Sequence, residues 1–147
     1  MSGRLLVARL GPERIALAVA DVIVVLDAPA VAPLPLMPDG VAGQLLVRDR
    51  WIPVLDTRRV LGIGRDGSGP GAALVFRAVR GDFALWVDDV EEVRHFSPAE
   101  ERPVPAATER AGLLRALLWH DGRLIASVDT TALLGVAEDI LHVGSIQ

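Results

Sequence analysis

The chain has 147 residues, 51% of them hydrophobic, with no cysteine and a formal net charge of −4. Length and apolar content suit one domain, or two small lobes that share contacts. The lack of cysteine excludes a disulfide framework, a thiolate metal site and a cysteine nucleophile, and the negative balance argues against binding a nucleic-acid backbone.

In chain order, "RLLVARL" (Arg4 to Leu10) and "RIALAV" (Arg14 to Val19) flank "GPE" and predict a hairpin. "VIVVL" (Val22 to Leu26) is β-branched and predicts a third strand. "APAVAPLPLMPDG" (Ala28 to Gly40) has too many prolines for a helix or a central strand and reads as an extended crossover. Its Pro35 and Pro38 form a literal Pro-x-x-Pro, more simply a stiff connector than a recognition ligand. "GQLLVRDRWIPVLD" (Gly43 to Asp56) predicts a second hairpin turning near Asp49 and Arg50, with Pro53 at an edge or a bulge. Asp-Arg is a poor two-residue turn, because both central residues would need positive φ, so a wider turn is expected there.

"IGRDGSGPG" (Ile63 to Gly71) is the clearest break in the chain. Beyond it, "AALVFRAV" and "DFALWV" predict a hairpin around Arg80 and Gly81, and "EEVRHF" (Glu91 to Phe96) a strand. "SPAEERPVPAATE" (Ser97 to Glu109) predicts a crossover. "GLLRALLWHDGRLIASVD" (Gly112 to Asp129) predicts a hairpin on the favoured Asp121-Gly122 turn, and "VAEDIL" a short C-terminal helix.

The second half repeats the first. "DTRRVLGI" (Asp56 to Ile63) answers "DTTALLGV" (Asp129 to Val136), 73 residues later, and "IALAVADV" (Ile15 to Val22) answers "FALWVDDV" (Phe83 to Val90), 68 residues later. Two blocks in the same order indicate one supersecondary unit used twice. The octet reads as a strand end, an aspartate N-cap, a short helix and a glycine stop at Gly62 or Gly135. Each copy yields about five strands, and five short strands curl naturally into a small barrel. The expected fold is therefore all-β: two similar five-stranded barrel lobes with short connecting helices and a C-terminal helix. The expected domain is single, 1–147, with lobe one at about 4–66, lobe two at about 72–136 and a tail at 137–147.

At this point the chain resembles the CheW family of bacterial chemotaxis adaptors over nearly its whole length. The family's typical stretch "GvxNLRGxxxPVvDLRrllG" is matched by "GQLLVRDRWIPVLDTRRVLG", with Gly43, Arg48, Pro53, Val54, Asp56, Arg58 and Gly62 on the pattern. "ALWVDDVEEVRHF" is similar to the family's "gllVDxVxxVxxi". The resemblance implies two intertwined five-stranded barrels and a non-catalytic scaffold. Such a scaffold couples the cytoplasmic tips of chemoreceptors to the regulatory domain of a CheA-type histidine kinase, at membrane-associated arrays. It implies lobe-to-lobe packing with the kinase and an apolar groove for the receptor. Leu46 stands where the family has Asn, Asp49 where it has the turn Gly, and Val24 where it often has Glu. These departures leave open a divergent subunit of a motility or other chemosensory array that has changed one standard partner.

The partner-binding candidates are Arg48, Val22, Val24, Leu46, Asp49, Arg50 and Arg58. Arg48 sits at a predicted hairpin tip, where it is either an interface arginine or a solvated one paired with Asp49. Val22 and Val24 line either a receptor groove or the core. Residues 1–68 hold 8 Arg and 7 acids, net +1, and residues 69–147 hold 7 Arg and 12 acids, net −5. Head-to-tail packing would bring Arg50, Arg58 and Arg59 to acids such as Asp88, Asp89, Glu91 and Glu92 of a partner. Trp51, Trp86 and Trp119 are expected in the core or between lobes. His120, Ser127 and Asp129 would be the elements of a small hydrolase, but no nucleophile elbow or oxyanion loop accompanies them. His95, His120 and His142 lack metal-ligand spacing, and no phosphate-cradling motif is present. The expectation is no enzyme, no cofactor and no metal. With no uncharged run near the roughly 20 residues of a membrane span and no leader evident, it is also a soluble, cytoplasmic chain without direct membrane insertion.

Overall fold

The computed structural model describes residues 3–33, 35, 40–62, 71–78, 81–106 and 111–145. The first half carries β1 (Leu5–Leu10), β2 (Glu13–Ala18), β3 (Val22–Asp27), β4 (Val41–Val47), β5 (Arg50–Leu55) and α1 (Thr57–Leu61). The second carries β6 (Ala72–Ala78), β7 (Gly81–Val87), β8 (Asp89–Arg94), β9 (Glu101–Arg102), β10 (Leu114–His120), β11 (Arg123–Val128) and α2 (Thr130–Ser145). Pro38, the linker at 63–70, the Arg80 turn and the end of the second crossover lie outside the described residues.

The halves exchange hairpins. One sheet has the order β8-β1-β2-β11-β10-β9 and the other β3-β6-β7-β5-β4. The first half thus gives β1 and β2 to the strands of the second, and receives β6 and β7 in return. The joins are the two parallel pairings, Ala16 opposite Ser127 and Ala84 opposite Val54. These pairs stand at the repeat offsets of 68 and 73 from one another, so the repeat in the letters is also a repeat in the strand register.

Exchange explains why the donated strands lack polar alternation. A strand buried on both faces reads as a continuous apolar run. Leu6, Ala8, Leu10, Leu74 and Phe76 turn into a core between the sheets, completed by Leu133 and Ala137 of α2. On the opposite faces, Val7 and Ala16 meet Leu118 and Ile125 inside the six-stranded sheet. Ala73 and Val75 meet Leu45, Ile52 and Val54 inside the five-stranded one.

Neither sheet is a closed barrel, contrary to the sequence expectation. Closure would require ladders between β3 and β4 and between β8 and β9, and the prolines fall in those connections. Proline has no N–H to donate. Between Pro29 and Pro33, Ala32 alone makes a bridge, exchanging 2.8 and 2.9 Å backbone hydrogen bonds with Gln44. A side chain on residue 43 would meet Ala32 O at 2.6 Å, which accounts for Gly43. Opposite this bridge sits Pro53, on a strand flanked by β4 and β7 rather than at an edge, but next to the register shift between Val41 and Gly43, as the bulge alternative expected. It is tolerated because Gln44, its partner in register, directs its own backbone groups to Ala32, and pairing with β7 begins only at Val54.

The two octets also part ways. At the first, Asp56 accepts from the Arg58 N–H at 3.1 Å, and α1 ends at Gly62 with φ 69°. At the second, Asp129 accepts from the Ala132 N–H at 3.2 Å, but the helix runs through Gly135 to Ser145. The expected stop and separate C-terminal helix are one continuous α2. Buried Leu133 and Ala137, with Ile140 and Leu141 beside them, hold it to the core. That packing outweighs the roughly 1 kcal/mol that a mid-helix glycine costs.

Candidate functional site

The β4–β5 hairpin forms one edge of the five-stranded sheet. Val47 pairs with Arg50, which leaves Arg48 and Asp49 as a two-residue turn with φ 49° and 66°. The turn is therefore tight, not the wider one expected. Strand twist favours primed turns even without glycine, and the tight register keeps Leu45 and Ile52 facing inward. The second copy has the same turn at Asp121 and Gly122, φ 52° and 71°.

Inward burial of Leu45 and Ile52 places their neighbours outside. Leu46 and Trp51 face each other across the strands, 51% and 56% exposed. The other copy repeats this with the residue types exchanged, Trp119 opposite Leu124, 46% and 52% exposed. Trp51 and Trp119 are thus surface residues, against the expectation of a core or interlobe role; only Trp86 packs against a core. The alternation in "RWIPVL" carries the signal, because burying Ile52 and Val54 turns Trp51 outward.

Where the hairpin meets β3, β6 and β7, Arg48, Arg50 and Val24 line one open cavity of about 180 Å³, together with Val47, Arg77 and Asp82. Three residues singled out by sequence therefore meet there, and Leu46 and Asp49 lie on the same hairpin. Arg77 and Asp82, in register across β6 and β7, went unnoticed in the sequence because no motif marks them. Val22 and Val24 pack against the two cores, whereas Ile23 and Val25, which alternate with them, are exposed, 38% and 43%.

Arg58 lies elsewhere. Its guanidinium donates to Asp88 Oδ2 at 2.7 Å, and the same oxygen accepts from the Gly11 N–H at 2.6 Å, with Arg9 3.7 Å away. Burial pushes the Asp88 carboxyl up. The Arg58 hydrogen bond, the Gly11 N–H and the charges of Arg58 and Arg9 outweigh that and hold it below its ordinary value. Glu91 forms a fork with Arg14 at 2.7 and 3.1 Å. Two of the acids proposed to meet a partner's arginines are thus engaged within the chain.

His120 and Asp129 likewise have structural partners. His120 Nδ1 is 2.8 Å from Glu100 Oε2 and its ring contacts Arg94 and the Phe96 edge. The Ser97 N–H, then the His120 hydrogen bond and the charges of Arg94 and His120, hold the Glu100 carboxyl below its usual range against the opposing effect of desolvation. This cluster spans the gap between β8 and β10 at the open side of the six-stranded sheet. Asp129 caps α2, and Ser127 is buried on β11. Each of the three thus serves a separate local structure. Among the described residues no group of His, Asp and Glu could hold a metal ion, and no helix is long and apolar enough to cross a membrane.

Comparison with solved structures finds the scaffolding protein TtCheW from Thermoanaerobacter tengcongensis at a TM-score of 0.76 and 23% identity, covering 88% of this chain and 85% of that one. No curated protein matches. A CheW-like domain is matched over residues 4–138, which spans both sheets and most of α2. The chain belongs to the CheW-like domain family, a family of non-catalytic scaffolds of chemotaxis signalling.

Proposed function

We propose that this chain, acting as a single domain over residues 1–147, couples the cytoplasmic tips of chemoreceptors to the regulatory domain of a CheA-type histidine kinase at membrane-associated arrays. The observation that supports this reading is the β4–β5 hairpin, which holds Arg48 at its tip and Leu46 and Trp51 in solvent. Exposed aromatic and arginine side chains on a rigid hairpin are the residue types that anchor protein interfaces. Arg50 adds a second exposed guanidinium at the same tip. Ile23 and Val25 on β3 supply apolar surface for a helical receptor segment.

Titration calorimetry with the host's kinase regulatory domain and receptor tip tests the proposal. Arg48→Glu is expected to weaken at least one of the two by about tenfold or more, while the unfolding midpoint stays put. Unchanged affinity for both would make Arg48 a bystander.

The exposure of Leu46 favours a second reading, in which the chain serves a specialised partner. The family's Asn position here carries an apolar side chain beside Trp51, and specificity is a difference between affinities. Leu46→Asn would then lower affinity for the cognate kinase and raise it for a standard chemotaxis kinase. Equal binding of both kinases before and after the change would dismiss this reading.

A further inference from the structure

The cavity between the β4–β5 hairpin and strands β3, β6 and β7 has an unbalanced charge. Arg48, Arg50 and Arg77 line it, against a single acid, Asp82. All three arginines are exposed, and none of the four makes a hydrogen bond or ion pair among the described residues, even though Arg77 and Asp82 stand opposite each other across β6 and β7. The lining residues themselves thus carry an excess of two positive charges, in a chain of net charge −4. The rest of the lining is aliphatic, with Ile23, Val24, Val47, Ile52 and Val75. Guanidinium forks beside aliphatic side chains match a carboxylate carried on an apolar stretch of chain. A polyanionic backbone fits poorly, because three arginines offer few phosphate contacts and the rest of the chain repels it.

We propose that this cavity takes an acidic side chain, flanked by aliphatic residues, from a different protein. The inference rests on reading the β4–β5 hairpin as partner-facing, and adds to it the chemistry that the partner presents. Arg77 is a specificity-determining residue on this account. It belongs to the hairpin exchanged from the second half of the chain, so the site is completed only by the strand exchange.

The test is a titration of the isotope-labelled full chain, followed by NMR at the arginine Nε–H groups and the Val24 and Val47 amides. The probes are a capped pentapeptide alternating leucine or valine with aspartate and glutamate, and its asparagine–glutamine isostere. The acidic peptide is expected to shift Arg48, Arg50 and Arg77 saturably, with binding that weakens as salt rises. Arg77→Gln should weaken it by roughly three- to fivefold. Val24→Glu, which places a carboxylate in the cavity, should compete with it; a thermal melt checks that this variant folds, and Arg77→Gln, on an exposed side chain, carries the test if it does not. Equal shifts from the isostere, or no effect of Arg77→Gln, would overturn the proposal. Concentration-dependent self-association that Arg77→Gln abolishes would make a second copy of this chain the occupant, and would overturn it as well. Calorimetry with the kinase regulatory domain runs in parallel: its failure alone would count against the adaptor reading, while the peptide arm still decides the cavity.

Discussion

Arg58 of α1 reaches Asp88, thirty residues on in the chain, with a 2.7 Å hydrogen bond between groups only 13% and 5% exposed. The pair ties the first octet to the link between β7 and β8, which is the point where the chain leaves one sheet for the other. The Gly11 N–H donates to the same carboxylate oxygen, so the β1–β2 turn joins the latch. Removing one member of a buried pair leaves the other charge uncompensated. Asp88→Ala is expected to destabilise the fold by about 2–4 kcal/mol, measured by urea unfolding. Arg58→Ala should likewise lower stability, and a normal unfolding midpoint in either variant would refute the structural role.

The same carboxylate sets an acid limit. Its folded pKa lies below the ordinary value of 3.8. A depressed carboxyl contributes stability that is complete above the unfolded value and disappears as pH falls through the folded one. Stability attributable to Asp88 should thus be level from neutrality to about pH 5 and decline below about pH 4. Asp88→Asn should remove that portion of the acid loss in a pH series of unfolding midpoints. An identical acid limb in the variant would assign the loss to other groups.

The two equivalent turns differ in one respect that can be swapped. Arg48-Asp49 adopts positive φ at both positions without glycine, whereas Asp121-Gly122 has glycine at the second. A non-glycine residue in this region costs roughly 1–2 kcal/mol; glycine removes that cost, less what it loses through the greater entropy it gives the unfolded chain. Asp49→Gly is expected to stabilise by about 0.5–1 kcal/mol, seen as a higher midpoint in thermal unfolding. A lower midpoint would mean that Asp49 makes a compensating contact.

Gly135 lies exposed in the middle of α2, and an added Cβ there would meet nothing within 4 Å. Gly135→Ala should stabilise by about 0.5–1 kcal/mol. Leu133, four residues after the cap and fully buried, is the contrast: Leu133→Ala should cost about 2–5 kcal/mol. Circular dichroism melts of both variants check the sign of each.

Much was legible in the letters. The octets mark Asp56 and Asp129 as caps because a carboxylate before a helix has free N–H groups to accept from. The matched blocks predict paired units, and Gly43, Arg48 and Pro53 mark the β4–β5 hairpin. Strand positions came through because short apolar runs, β-branched residues and turn residues are local signals. The meeting of Arg48, Arg50 and Val24 at one cavity was not written locally, and neither was the part of Arg77, which arrives on a strand from the other half of the chain.

The sequence by itself thus determined the β-rich class, the duplicated unit, the caps and most strand boundaries, since these depend on neighbours a few residues apart. Only the tertiary structure decided which hairpin enters which sheet, because β1, β2, β6 and β7 are apolar on both faces and satisfy either sheet by pattern alone. Packing likewise decided that α2 runs past Gly135 while α1 stops at Gly62. It also committed Arg58 to Asp88. Burial and long-range pairing rank such options by energies that no eight-residue stretch contains.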